Sequence, residues 1–83
     1  MRVNVNLSKI LLMGNKDIPT RLELLFDQDT IKLEQLISKL NQLYPPIDFN
    51  IALIIINGKI ISDDQILIHH EDKISFFPPV MGG

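Results

Sequence analysis

The chain has no cysteine and no tryptophan. Without cysteine there are no disulfide staples, thiolate metal ligands or thiol nucleophiles. Basic excess is also lacking: 8 Lys and Arg against 10 Asp and Glu leave a formal charge of −2, which argues against phosphate-backbone binding and hence against nucleic acid as a partner. The longest unbroken apolar run, Ile51 to Ile56, is far short of the ~20 residues that span a bilayer. The opening Arg2-Val3-Asn4-Val5-Asn6-Leu7 alternates instead of forming a signal-peptide block, so no membrane is expected and a cytoplasmic location is. Glycine is sparse: outside the end, only Gly14 and Gly58 occur, and neither sits in a phosphate-cradling loop.

What is present fits one small globular domain. The 83 residues are 46% apolar and 22% charged, a balance that supports a packed core. A domain this small buries only roughly 60–65% of its unfolded surface, so the core must be efficient.

Val3, Val5 and Leu7 alternate with polar residues and predict a half-buried first strand. Ser8 to Asn15 predicts a short helical turn, with Ser8 as N-cap and Gly14 as stop. Leu22, Leu24 and Phe26 predict a second strand antiparallel to the first. From about Ile31 to Leu43 the residues Leu33, Leu36, Ile37, Leu40, Leu43 and Tyr44 form one apolar stripe, predicting a helix capped by Asp29 or Thr30 and ended by Pro45-Pro46. The β-rich Ile51–Ile56 run, the Asn57-Gly58 hairpin turn and Lys59-Ile60-Ile61 predict two more strands. Lys73 to Phe77 predicts the last, running directly into Pro78-Pro79-Val80-Met81-Gly82-Gly83. The expected fold is α+β: a mixed sheet in the order β-β-α-β-β-β, with its one main helix on one face. Residues 1–77 form the domain and 78–83 a flexible projecting tail.

Motifs for internal chemistry are weak. His69-His70 with Glu71-Asp72 reads as a solvated turn rather than a metal site, because adjacent turn residues do not converge on an ion. Asp63-Asp64 reads likewise, and none of the four serines has a nucleophile motif. The end of the chain is different. Pro78-Pro79 cannot donate ladder hydrogen bonds and favours extended geometry, so it holds the following residues away from the sheet. Gly82 and Gly83 have no Cβ and fit a channel too narrow for side chains. The α-carboxylate of Gly83 becomes a good electrophile when joined to AMP, after which a sulfur donor converts it to a thiocarboxylate. The residues thus suggest a carrier whose reactive group is its own end.

This pattern, ending Phe76-Phe77-Pro78-Pro79-Val80-Met81-Gly82-Gly83, resembles the small subunit of molybdopterin synthase, the MoaD-like sulfur carriers of the ubiquitin-like β-grasp fold. Thr30 with Leu33 and Leu36, the Asn57-Gly58 turn and Glu71-Asp72-Lys73-Ile74 extend the likeness along the chain. The resemblance implies that Gly83, cleared by Gly82, is adenylated by a separate ubiquitin-activating-like enzyme that binds the ATP. The resulting thiocarboxylate would donate sulfur to the dithiolene of molybdopterin inside a large synthase subunit, in a tetramer of two small and two large chains. No cofactor would bind this chain, and it would have no active site of its own. Two departures stand out: Ile10-Leu11-Leu12-Met13 is bare of charge, and Glu71 stands where the family often has Gly. The residues leave other readings open: a protein modifier conjugated through Gly83, a sulfur carrier for thiamine or tRNA thiolation, or a module with an inert end.

Partner contacts are expected at Phe77, Pro78, Pro79, Val80 and Met81. Adjacent strand residues face opposite ways, and parity with Ile74 puts Phe76 in the core and Phe77 outside. Leu53 and Ile55 oppose the Ala52, Ile54 and Ile56 face. They are either a docking strip or are covered by the Ile10–Met13 turn or by Ile66 and Ile68.

Overall fold

A computed structural model describes residues 1–79. Its elements are β1 (Arg2–Leu7), β2 (Arg21–Leu25), β3 (Thr30–Lys32), α1 (Leu33–Leu43), a 3-10 turn (Phe49–Ile51), β4 (Leu53–Ile56), β5 (Lys59–Ile61), β6 (Leu67–His69) and β7 (Lys73–Phe77). Five strands form one sheet in the order β2-β1-β7-β4-β5, and β3 pairs with β6 in a separate ribbon. The central pair, β1 and β7, is parallel; every other pairing is antiparallel.

Period-two patterning sorts each strand's residues between two faces. Val3, Val5 and Leu7 of β1, Ile54 and Ile56 of β4, and Ile74 and Phe76 of β7 are buried on the inner face. Leu33, Leu36, Ile37 and Leu40 of α1 complete that core, with Ile31, Ile68 and Phe49. Phe49 meets Phe76 edge to face, with ring centroids 5.6 Å apart and planes at 85°. The Phe49 amide donates to Asn41 Oδ1 at 3.0 Å, tying the 3-10 turn to the helix.

Several local expectations are corrected. The helix begins at Leu33 rather than Ile31, and neither Asp29 nor Thr30 caps it. Thr30 to Lys32 is drawn into β3 by pairing with β6. The Leu33 and Glu34 amides donate to the carbonyls of Ile66 and Asp64, each at 2.9 Å, so tertiary contacts satisfy donors that a local cap usually serves. Gln35 Oε1 accepts from the Lys32 amide at 2.8 Å. The short helical turn expected after Ser8 does form: the Leu12 amide reaches the Ser8 carbonyl at 3.2 Å, and Ser8 Oγ accepts from the Ile10 amide at 3.3 Å. The Ile51–Ile56 strand starts only at Leu53, because Phe49–Ile51 turns to seat Phe49 in the core.

Candidate functional site: the open sheet face and the start of the tail

The helix covers only one face of the sheet, and the other face divides into two halves. On β1 and β2 it carries Arg2, Asn4, Asn6, Arg21 and Glu23, the polar residues that solvent contact calls for, with exposed Leu25, opposite Arg2, the exception. On β4, β5 and the end of β7 it is apolar. Leu53 lies opposite Phe77, and Ile55 lies opposite both Ser75 and Ile60. Side chains so paired share a face about 4.5–5.5 Å apart at Cβ, so they form one patch. Ile60 is 70% exposed and Phe77 38%, whereas Leu53 and Ile55 are half-buried.

The start of the tail adjoins this patch. β7 is internal in the sheet, paired on both sides through Phe76 and, on the β4 side, through Phe77. Pro78 follows immediately and has no amide to continue the ladder. Phe76 and Phe77 divide as their parity requires, with Phe76 fully buried and Phe77 facing out. Pro78 and Pro79 are half-buried and outside any strand. Val80, Met81, Gly82 and Gly83 lie outside the described residues.

Of the residues expected to cover Leu53 and Ile55, three are committed to the other face and three, Ile66 among them, are exposed. Ile68 belongs to the opposite, helix-side core, as do Leu11 and Leu12. Ile10 and Met13 are exposed, at 75% and 79%, in the loop that follows β1. That loop lies beside the tail base, because the Ser8 amide donates to the Phe76 carbonyl at 2.9 Å. Sequence reasoning missed Ile60 as part of the patch. The signal was available: a two-residue Asn57-Gly58 hairpin fixes the register that sets Ile60 opposite Ile55.

A polar cluster lies at the opposite end of β7. Arg2 and Glu71 form a salt bridge, and the Arg2 amide donates to His70 Nδ1 at 2.9 Å. The hydrogen bond from Arg2 holds the Glu71 carboxyl below its ordinary value, and the same contact raises the Arg2 guanidinium. Asp72 binds Asn57 Nδ2 at 3.0 Å and the His69 amide at 2.8 Å. These contacts are structural, and no group of three or more metal-ligating side chains is arranged to hold an ion among the described residues. The described residues also include no helix long and apolar enough to cross a membrane.

Comparison with protein families gives a match over residues 12–83 to the ThiS family. The chain belongs to the ThiS family. These are sulfur carriers of ubiquitin-like fold, so the expected β-grasp architecture and family resemblance hold. Among solved structures, the chain is similar to one from the protein–protein complex of subunits 1 and 2 of the molybdopterin-converting factor of Helicobacter pylori 26695. Identity is 22% over 100% of both chains, with a TM-score of 0.68. It is also similar to SAMP1 from Haloferax volcanii, at 15% identity over 100% of both chains and a TM-score of 0.74. A ubiquitin-like protein from Trypanosoma brucei aligns over 96% of this chain and 95% of its own, at 18% identity and a TM-score of 0.63. At these identities the likeness concerns the fold. No curated protein matches the chain.

Proposed function

We propose that this chain is the sulfur-carrying small subunit of a molybdopterin synthase. The observation that carries the reading is the junction at Phe77. An internal strand ends there on an exposed apolar patch, and Pro78-Pro79 leads to a Gly82-Gly83 end. The Phe-Pro-Pro approach favours molybdopterin over thiazole synthesis, because the thiazole carriers usually lack it. Family membership supports sulfur carriage, and the Helicobacter complex supports a large-subunit partner.

The chemistry takes place at Gly83. Its carboxylate attacks the α-phosphorus of ATP on a separate adenylating enzyme, giving the acyl-adenylate and pyrophosphate. The outer sulfur of a donor persulfide then displaces AMP to give an acyl disulfide. A second thiol of the donor attacks the inner sulfur, forming a donor disulfide and releasing the thiocarboxylate. Gly82 provides the clearance for this end to enter two different active sites. Leu53, Ile55, Ile60 and Phe77 supply the apolar contact through which each partner holds the body while the end reacts. The assembly is a tetramer of two small and two large chains, working in the cytoplasm.

Reconstitution tests the pathway. The 83-residue chain, charged with sulfur, is mixed with the large subunit from the same genome and the sulfur-free pterin precursor. Dithiolene formation is the expected result. Sulfur delivery to a thiazole-forming partner in its place, or attachment of Gly83 to target lysines, would overturn the assignment.

A further inference from the structure

The connection between β1 and β2 is folded on itself. The Asn15 amide and Asn15 Nδ2 both donate to the Leu12 carbonyl, at 2.9 and 2.7 Å, and the Ile18 amide donates to the Asn15 carbonyl at 3.2 Å. Met13 and Gly14, with φ of 52° and 80°, reverse the chain between these points. A cleft of about 350 Å³ results, with a buried apolar floor of Leu12 and Ile18 and with exposed Lys9 and Lys16 on its rim. Its volume is at the small end of ligand clefts, and its hydrogen-bonded frame is preformed. Among the described residues, neither lysine forms a salt bridge. Two unpaired ammonium groups over an apolar floor suit a ligand with an apolar body and an anionic end.

Such a segment starts next to the cleft. Leu7 is in register with Phe76, the Ser8 amide binds the Phe76 carbonyl, and the Leu7 amide binds the Thr20 carbonyl at 2.8 Å. Lys9, which lines the cleft, therefore directly follows the residue bonded to the strand that launches the tail, while Thr20, also lining it, is bonded to β1 from its β2 side. The six residues Pro78 to Gly83 reach at most about 20 Å when extended. They hold two apolar side chains, Val80 and Met81, then two bare glycines, the last of which carries the carboxylate on the carrier reading.

We propose that the β1–β2 cleft binds this chain's own C-terminal segment, with Val80 and Met81 on Leu12 and Ile18 and the Gly83 carboxylate between Lys9 and Lys16. The inference rests on the carrier reading in one respect, that Gly83 is the last residue. Tethering through six residues gives an effective concentration on the order of millimolar, so a weak site is enough. The tail then alternates between a stored position on its own body and delivery to a partner, and a partner must displace it from the lysines.

Amide NMR of the 83-residue protein, compared with a chain ending at Pro79, tests this. Among the described residues the buried core lies at or before Phe76, so the shortened chain is expected to keep the fold, which circular dichroism checks. Truncation is expected to shift the amides of Lys9, Gly14, Lys16 and Thr20. Adding the peptide Val-Met-Gly-Gly to the shortened chain is expected to restore those shifts, and its C-terminal amide to bind at least about tenfold more weakly. The double variant Lys9→Glu, Lys16→Glu is expected to give the truncated pattern in the full chain. Unchanged loop amides on truncation would overturn the proposal. So would shifts that disappear on dilution, since they would assign the cleft to the tail of a second copy. Sulfur loading is measured separately: a silent cleft with normal loading rejects only the docking, and shifted amides without loading reject only the carrier reading.

Discussion

Phe76 and Phe77 are neighbours with opposite duties, and substitution separates them. Phe76 is fully buried against Phe49, so Phe76→Ala removes core volume and is expected to destabilise by about 3–5 kcal/mol in urea denaturation. Phe77 faces solvent in part, so Phe77→Ala is expected to leave stability within about 1 kcal/mol while weakening binding to the large subunit. Glu71 is a second informative residue. It holds φ of 72°, a left-handed conformation that glycine adopts without strain, and its salt bridge with Arg2 offsets part of that cost. Its carboxyl is held below the ordinary value, so the stabilisation is complete above the unfolded-state pKa and is lost as pH falls through the folded value. The advantage of the native protein over Glu71→Gln in melting temperature should therefore shrink on acidification. Glu71→Gly should melt higher than the native protein, by a margin that grows as pH falls. A pH series of thermal melts reads both effects.

At the scale of elements, the β4–β5 hairpin and its neighbour show how one turn controls the patch. Asn57 and Gly58 have φ of 49° and 86°, the paired left-handed geometry of a two-residue hairpin. Asn57 Oδ1 accepts the Lys73 amide at 3.0 Å, and Nδ2 donates to Asp72. Asn57→Ala should cost about 1–3 kcal/mol through the backbone penalty and the two lost bonds. Asn57→Gly should cost less, because only the bonds are lost; urea unfolding distinguishes the two. Ile55→Asp lies on the open face instead, and is expected to keep the fold by circular dichroism while weakening large-subunit binding at least about tenfold.

These same elements show what the sequence made legible. The alternation in β1 and β7, the stripe of α1 and the Asn57-Gly58 turn are local patterns, and each produces the element its period requires. What escaped depends on partners distant in sequence. Thr30 reads as a cap and Ile31 and Lys32 as helix until β6 is placed beside them, and no window around Asp29 shows that Asp64 and Ile66 carbonyls will meet the first helical amides. Phe49 sits in a stretch without periodicity, so its position against Phe76 is visible only in three dimensions. At the site, parity alone assigned Phe76 and Phe77, whereas the half-burial of Leu53 and Ile55 and the placement of the β1–β2 loop were visible only in three dimensions.

For the whole molecule, the architecture separates support from chemistry. The helix and the buried sheet face hold β7 between two neighbours, and the open face presents an apolar patch beside the point where β7 ends. Nothing in that arrangement requires a catalytic group inside the body, and the account assigns the reactive atom to Gly83. Intact-mass spectrometry tests this most directly, after the chain is incubated with the adenylating enzyme of the same genome, ATP and a persulfide donor. The account predicts a mass gain equal to exchange of one oxygen for sulfur, located at Gly83 by fragmentation, and no gain in a version with one alanine added after Gly83. An unchanged mass with an enzyme shown to be active, or sulfur loading in the extended version, would contradict it.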